Sequence, residues 1–188
     1  STLDRSSAAS DVYKRQAGNC LAVVSGQGVL LTTYTKIHPF SYANEDAHYQ
    51  AGNSLKKVNI GGATIGLTIC YDLRFPELYQ GYSKDCQVLL NIANWPERRV
   101  THWKALIKAR AIENQVFVVG VNRIGKDGNG LQYVASSEIV SPYGEELKGV
   151  SLSEEVAVYE IDLGEVAQYR KEFPVKNDRK ITLYKDIL

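Results

Sequence analysis

The feature that most constrains this chain is an apolar run that stops at a cysteine. Residues 63–70 (ATIGLTIC) predict a buried strand, and Tyr71–Glu77 (YDLRFPE) follows at once. Pro76 sits just inside a short helix (PELYQGYS), where a first-turn proline is tolerated. A side chain at such a strand-to-helix turn is exposed at the end of the sheet, beside backbone N–H groups with no helical partner. Those donors lower a thiol pKa and bind a developing oxyanion. Position alone leaves Cys70 with two readings: a nucleophile, or a structural cysteine at a strand end, since free cysteines are among the most buried residues.

The remaining elements surround this one. Cys20–Ser25 and Val29–Tyr34 flank Gly26-Gln27-Gly28 and predict a β-hairpin. Residues 35–57 are polar and read as one long loop, of the kind that usually carries function. Gln87–Ile92 predicts a strand that ends at Asn94-Trp95-Pro96. Val100–Asn114 predicts a helix whose apolar face is Trp103, Leu106, Ile107 and Ala111. Val116–Val121 predicts an apolar strand, followed by a glycine-rich loop over 125–130 and an extended stretch over 131–140. Residues 155–161 alternate as a strand, 164–173 read as a short helix, and the remainder reads as a polar tail. Strands alternate with helices in the middle and pair at both ends, so the expected class is α/β with mixed strand directions.

Composition narrows the function. Lys plus Arg number 22 and Asp plus Glu 21, which supplies no electrostatic footprint for nucleic acid or an anionic membrane. No apolar run reaches the roughly 20 residues that span a bilayer. The three cysteines, Cys20, Cys70 and Cys86, form neither a disulfide framework nor a CxxC pair, so a reducing, cytoplasmic setting is expected. Cys20 and Cys86 read as small core residues. His38, His48 and His102 are scattered, and no metal or cofactor is expected. Residues 1–16 (STLDRSSAASDVYKRQ) lack periodicity and read as a non-native or disordered leader, leaving 17–188 as a partial domain. The chain begins at Ser1 and contains no methionine, which adds to the expectation of an incomplete chain.

A thiol nucleophile needs a cation or base nearby. The three histidines carry no local signature. Lys36 follows the strand VLLTTY, so it sits at a strand end as Cys70 does, where an ammonium can stabilise a tetrahedral oxyanion.

At this point YTKIHPF (34–40), GLTICYDLRFPELY (66–79), the stretch from Asn94 to Gly130 and SSEIVSPYGEEL (136–147) together resemble the carbon–nitrogen hydrolase (nitrilase) superfamily. Within it, NWP, HW, RAIENQ and NRIGKDGNG are most similar to the omega-amidase-like branch. The resemblance implies an αββα sandwich, incomplete at the N-terminus, that pairs into homodimers or higher oligomers. It implies hydrolysis of the distal amide of a small 2-oxo acid without cofactor, through a thioacyl intermediate. By the same resemblance Cys70 is the nucleophile, Lys36 the oxyanion cation, Glu45 a second glutamate that orients them, and Tyr71 N–H the other oxyanion donor. Arg74, Asn94, Trp95 and Ser137 are candidate substrate-binding residues. Arg74 has a second reading, as a buttress of the Cys70 turn through Asp72 or Glu77. Arg110 and Glu113, three apart on the helix, are expected to pair.

One departure stands beside the match. The superfamily's general-base glutamate precedes the lysine, and residues 17–35 contain no acid. The polypeptide is therefore expected to be inactive and prone to associate through an unpaired sheet edge. Three rival readings follow: an N-carbamoyl amidohydrolase, a non-catalytic subunit that only dimerises, and a Cys–His thiol protease.

Overall fold

The computed structural model describes residues 17–153 and 156–187. The expected leader, 1–16, lies outside the described residues.

Among the described residues a two-residue strand, Ala17–Gly18, pairs in parallel with Tyr49–Gln50, and an antiparallel hairpin of β1 (Cys20–Val24) and β2 (Leu30–Thr35) follows it. The turn closes through Gly28 N–H donating to Ser25 O at 2.9 Å, with Gly28 at φ +80°. Next come β3 (Lys57–Ile60), β4 (Ala63–Ile69) and α1 (Pro76–Tyr82), then β5 (Val88–Ala93) and α2 (Val100–Asn114). The chain continues with β6 (Phe117–Asn122), β7 (Glu138–Val140), α3 (Gly164–Glu172) and α4 (Ile181–Ile187). Strands β3 to β7 form one sheet in the order β7-β6-β5-β4-β3. The three central strands are parallel, and both edges are antiparallel. This is the mixed helix-and-strand architecture of the α/β class.

Helices α1 and α2 cover one face of the sheet. Tyr79 and Tyr82 from α1, Trp103, Ile107 and Ala111 from α2, and Leu89, Val118 and Val140 from the strands make one buried cluster. Gly120 on β6 permits the close approach of α2: a Cβ there would stand 2.3 Å from Ile107 Cδ1 and 2.8 Å from Trp103 Cζ2. The hairpin packs on the opposite face, where Leu21 and Tyr34 meet Val58, Leu67 and Ile69. Burial on both faces explains why β4, β5 and β6 read as continuous apolar runs.

Three expectations need correction. Residues 35–57 are not a plain loop. They contain two 3-10 turns (Ser41–Ala43 and Glu45–Ala47), and their end opens the edge strand β3, whose sequence KVNI is exposed except at Val58. Residues 131–140 divide into a short pair, Gln132–Tyr133 with Gly125–Lys126, and the separate strand β7. Asp127 is the cause: its Oδ1 accepts the N–H groups of Asn129 and Leu131, and its Oδ2 accepts the Tyr133 hydroxyl, which folds the segment back on itself. The polar tail contains a 3-10 turn (Val175–Asp178) and α4. Its docking is polar: Lys176 Nζ donates to Ser83 O at 2.8 Å, and Arg179 donates to Gln80 Oε1. Ser83 is the C-cap of α1, where cations favour the carbonyl end of the helix. Of the strand expected over 155–161, the structure describes Ala157–Val158, paired with Val150–Ser151.

Candidate active site

The parallel strands β4, β5 and β6 end at the same edge of the sheet, and their successors are Cys70, Asn94 and Arg123. Open parallel sheets commonly bind ligands at this edge. Cys70 is one of three non-glycine residues with positive φ (+46°) among the described residues, and it begins a five-residue 3-10 helix, Cys70–Arg74. The abrupt change from strand to helix turns the partly buried thiol out of the sheet. Its Sγ faces the Asn94 carbonyl oxygen at 4.0 Å. Tyr71 N–H lies in the first turn, where the helix supplies no acceptor.

Lys36 arrives from the other layer. It follows β2 and is 3% exposed. Its Nζ donates to Glu45 Oε2 at 2.6 Å. Glu45 also accepts Asn19 Nδ2 at 2.7 Å and the Phe40 N–H at 2.7 Å. Burial alone would raise the Glu45 carboxyl, but these hydrogen bonds outweigh it and hold the group below the usual carboxylate range. Asn19, Lys36, Glu45, Cys70, Asn94 and Arg123 line one open cleft of about 530 Å³.

Burial pushes the Cys70 thiol up, and Lys36 draws it partly back. Among the described residues the carboxyl groups that act most on the thiol are Glu45 and Asp72, and each is committed elsewhere. Glu45 holds Lys36. Asp72 is fully buried and accepts from Tyr34, His38 and the Ile69 N–H.

A second, narrower pocket opens from Cys70, lined by Phe40, Tyr71, Arg74, Trp95 and Arg99 among others. Arg74 pairs with neither Asp72 nor Glu77. Its Nη2 lies 3.2 Å from His102 Nδ1, and its guanidinium stacks 4.9 Å over Trp95. Arg99, which sequence reasoning passed over, stands 5.5 Å over the Phe40 ring. Among the described residues neither guanidinium has a carboxylate within 4 Å. The adjacent pair Arg98-Arg99 after NWP was the available signal.

Trp95 is buried, with its Nε1 donating to Arg99 O at 2.7 Å. Asn122 clamps its backbone: Oδ1 accepts the Trp95 N–H at 2.7 Å, and Nδ2 donates to Trp95 O at 2.9 Å. Asn94 is exposed at the cleft. Ser137 does not line the Cys70 pockets. Its hydroxyl accepts the Asn122 N–H at 2.9 Å and lies along a neighbouring groove. Arg110 meets Glu113 at 3.1 Å, and its Nε donates to Leu73 O, tying α2 to the Cys70 turn. Of the histidines, His38 faces Asp72, His102 faces Arg74 and His48 is exposed, so none forms a hydrogen bond with the thiol. That geometry gives the Cys–His protease reading no support. Cys86 is buried, whereas Cys20, expected in the core, is exposed because β1 is an outer strand. Among the described residues no group of three or more His, Cys, Asp and Glu could hold a metal ion. No helix there is long and apolar enough to cross a membrane.

Comparison with known proteins gives consistent results. The carbon–nitrogen hydrolase family model matches residues 4–171. The chain is 40% identical over 146 residues to omega-amidase YafV of Escherichia coli, covering 77% of this chain and 57% of that protein. It is 35% identical over 176 residues to 2-oxoglutaramate amidase of Bacillus subtilis, covering 93% of this chain and 66% of that protein. The chain thus spans less than two thirds of the length of either relative. Among solved structures, XC1258 of Xanthomonas campestris, a CN-hydrolase superfamily protein with an arsenic adduct in its active site, superposes with a TM-score of 0.78. The two are 35% identical, and the match covers 87% of this chain and 64% of that one. The NitFhit protein of Caenorhabditis elegans superposes with a TM-score of 0.79 at 30% identity, over 90% of this chain and 43% of that one.

Proposed function

The chain belongs to the carbon–nitrogen hydrolase family, and on that premise we propose that its site is that of an amidase cleaving the C–N bond of a small carboxylated amide. The observation that carries this reading is the meeting of Cys70 and Lys36, brought from two different layers to one cleft, with the lysine held by Glu45. The relatives named omega-amidase and 2-oxoglutaramate amidase support a 2-oxo acid omega-amide as the substrate.

The chemistry runs in two halves. The Cys70 thiolate attacks the amide carbon, and the carbonyl electron pair moves to oxygen. In this reading Lys36 Nζ and the Tyr71 N–H stabilise that oxyanion. Collapse re-forms the carbonyl, breaks the C–N bond and releases ammonia once the nitrogen gains a proton. Water then adds to the thioester, the C–S bond breaks, and the carboxylic acid leaves with the thiol restored. Arg74 and Arg99 offer the substrate carboxylate two guanidinium groups that, among the described residues, have no carboxylate within 4 Å. Asn94 and Trp95 form the wall beside them.

Both halves need a proton carrier. The thiol is pushed up by burial, and among the described residues the carboxyl groups that act most on it, Glu45 and Asp72, are engaged by other donors. A positioned acid–base is worth about 10²–10⁴-fold. We therefore expect the 188-residue polypeptide, assayed alone, to release no more ammonia from 2-oxoglutaramate than its Cys70→Ala variant. Sustained Cys70-dependent release would show that a working base is present.

A further inference from the structure

The two halves of the site reach it from different layers, and a single buried side chain joins them. Asp72 is 0% exposed and has four donors around its two oxygens. On the nucleophile side, Oδ2 accepts the Ile69 N–H at 2.9 Å, immediately before Cys70. On the lysine side, the same Oδ2 accepts the Tyr34 hydroxyl at 2.7 Å, two residues before Lys36. Oδ1 accepts the His38 N–H at 3.0 Å and faces His38 Nδ1 at 2.8 Å, two residues after Lys36. The lysine is thus bracketed on both sides by residues fixed to Asp72.

The surroundings suit this role. Tyr34 is fully buried, and burial with the adjacent Asp72 pushes its phenol far up, so it remains a neutral donor. Its oxygen in turn accepts the Ile37 N–H at 3.3 Å, which extends the tie to the residue directly after Lys36. His38 stacks on Phe75 at 3.7 Å between ring centroids, closing the far end of the Cys70–Arg74 turn. Asp72 itself lines neither of the two pockets that open on Cys70.

We propose that Asp72 is a positioning residue that fixes the Lys36 segment against the Cys70 turn, and so sets the influence of the ammonium on the thiol. The inference rests on the reading of Cys70 as the nucleophile and Lys36 as its cation. Its test needs no turnover, so it is separable from the hydrolase reading.

The readout is the pH profile of Cys70 alkylation by iodoacetamide, followed by peptide mass mapping in a Cys20→Ser background. Four proteins are compared: the parent, Lys36→Met, Asp72→Asn and the double variant. In the parent background, removing Lys36 should raise the apparent thiol pKa by about one unit, because an opposite charge nearby favours the thiolate. In the Asp72→Asn background the same substitution should move it by less than about a third of that. Asp72→Asn alone should also raise the thiol pKa. A role as a bare negative charge predicts the opposite sign, since loss of a carboxylate beside a thiol lowers its pKa. A lowered pKa, or an undiminished Lys36 effect, overturns the proposal. Tyr34→Phe keeps the charge and cuts one tie, so it should shift the profile in the same direction by a smaller amount. If Asp72→Asn fails to fold by circular dichroism, Tyr34→Phe with its own Lys36→Met partner decides the question by the same criterion.

Discussion

Glu45 satisfies three donors at once, and one of them is the buried ammonium of Lys36. Removing one member of a buried pair leaves the other uncompensated. We expect Glu45→Gln to lower stability by about 2–4 kcal/mol at pH 7, measured by urea unfolding. The pH dependence follows from the depressed carboxyl. Its contribution is present above the unfolded value of 4.5 and is lost as pH falls through the lower folded value. Melts from pH 6 to 3 should therefore fall more steeply for the parent than for Glu45→Gln, and parallel curves would contradict the assignment. At this scale part of the site was legible in the sequence. Cys70 was marked by a strand ending and a proline, and Lys36 by its place after VLLTTY. The commitment of Asp72 was not legible, because its partner Tyr34 lies 38 residues away and no local pattern encodes that contact. The surroundings of Arg74 were not legible for the same reason: its neighbours Trp95 and His102 come from a later loop and helix.

Glu138, on β7, is 6% exposed, and its Oε1 has no hydrogen-bond partner among the described residues. Burial, then the neighbouring Glu146, pushes its carboxyl up to about 7, against the pull of Lys104 and Lys108 on α2. A raised acid is stable while protonated, so its contribution is complete below 4.5 and declines as pH rises through 7. Between pH 5 and 8 the parent should lose about 2–3 kcal/mol that Glu138→Gln retains, and identical pH profiles would rule out the buried acid as the cause. The clamp from Asn122 on β6 to the Trp95 backbone is a second such joint. Asn122→Ala strands a buried N–H and C=O, and should cost about 1–3 kcal/mol with a change in tryptophan near-UV circular dichroism. Read correctly from sequence are the β1–β2 hairpin, the apolar strands β4, β5 and β6, and helices α1, α2 and α3. Missed were β3, whose KVNI has one buried residue, and α4, which depends on the basic contacts of the tail with α1. Neither buries an apolar face, since β3 hides only Val58 and the Ile181 and Leu183 side chains of α4 stay exposed.

The whole molecule presents a five-stranded sheet covered by helices on one side and by a two-stranded hairpin on the other. The hairpin leaves Val24, Val29, Leu30 and Leu31 between 47% and 59% exposed. Apolar side chains on a short ribbon with open edges favour association. Sedimentation velocity from 1 to 50 µM should show concentration-dependent self-association, and the double variant Val24→Lys and Leu30→Lys should remain monomeric across that range. A parent that stays monomeric would show that these residues do not drive contact. The central claim, that Cys70 beside Lys36 is an acylation centre, is tested most directly with an activated ester. The p-nitrophenyl ester of glutaric acid carries the expected carboxylate and a leaving group that needs no proton. In a Cys20→Ser background, stopped-flow absorbance should show a burst of one p-nitrophenol per chain followed by slow turnover. The intact mass should rise by one glutaryl group mapped to Cys70, with burst and adduct absent in Cys70→Ala. A burst that survives in Cys70→Ala, or no burst in the parent, would contradict the account.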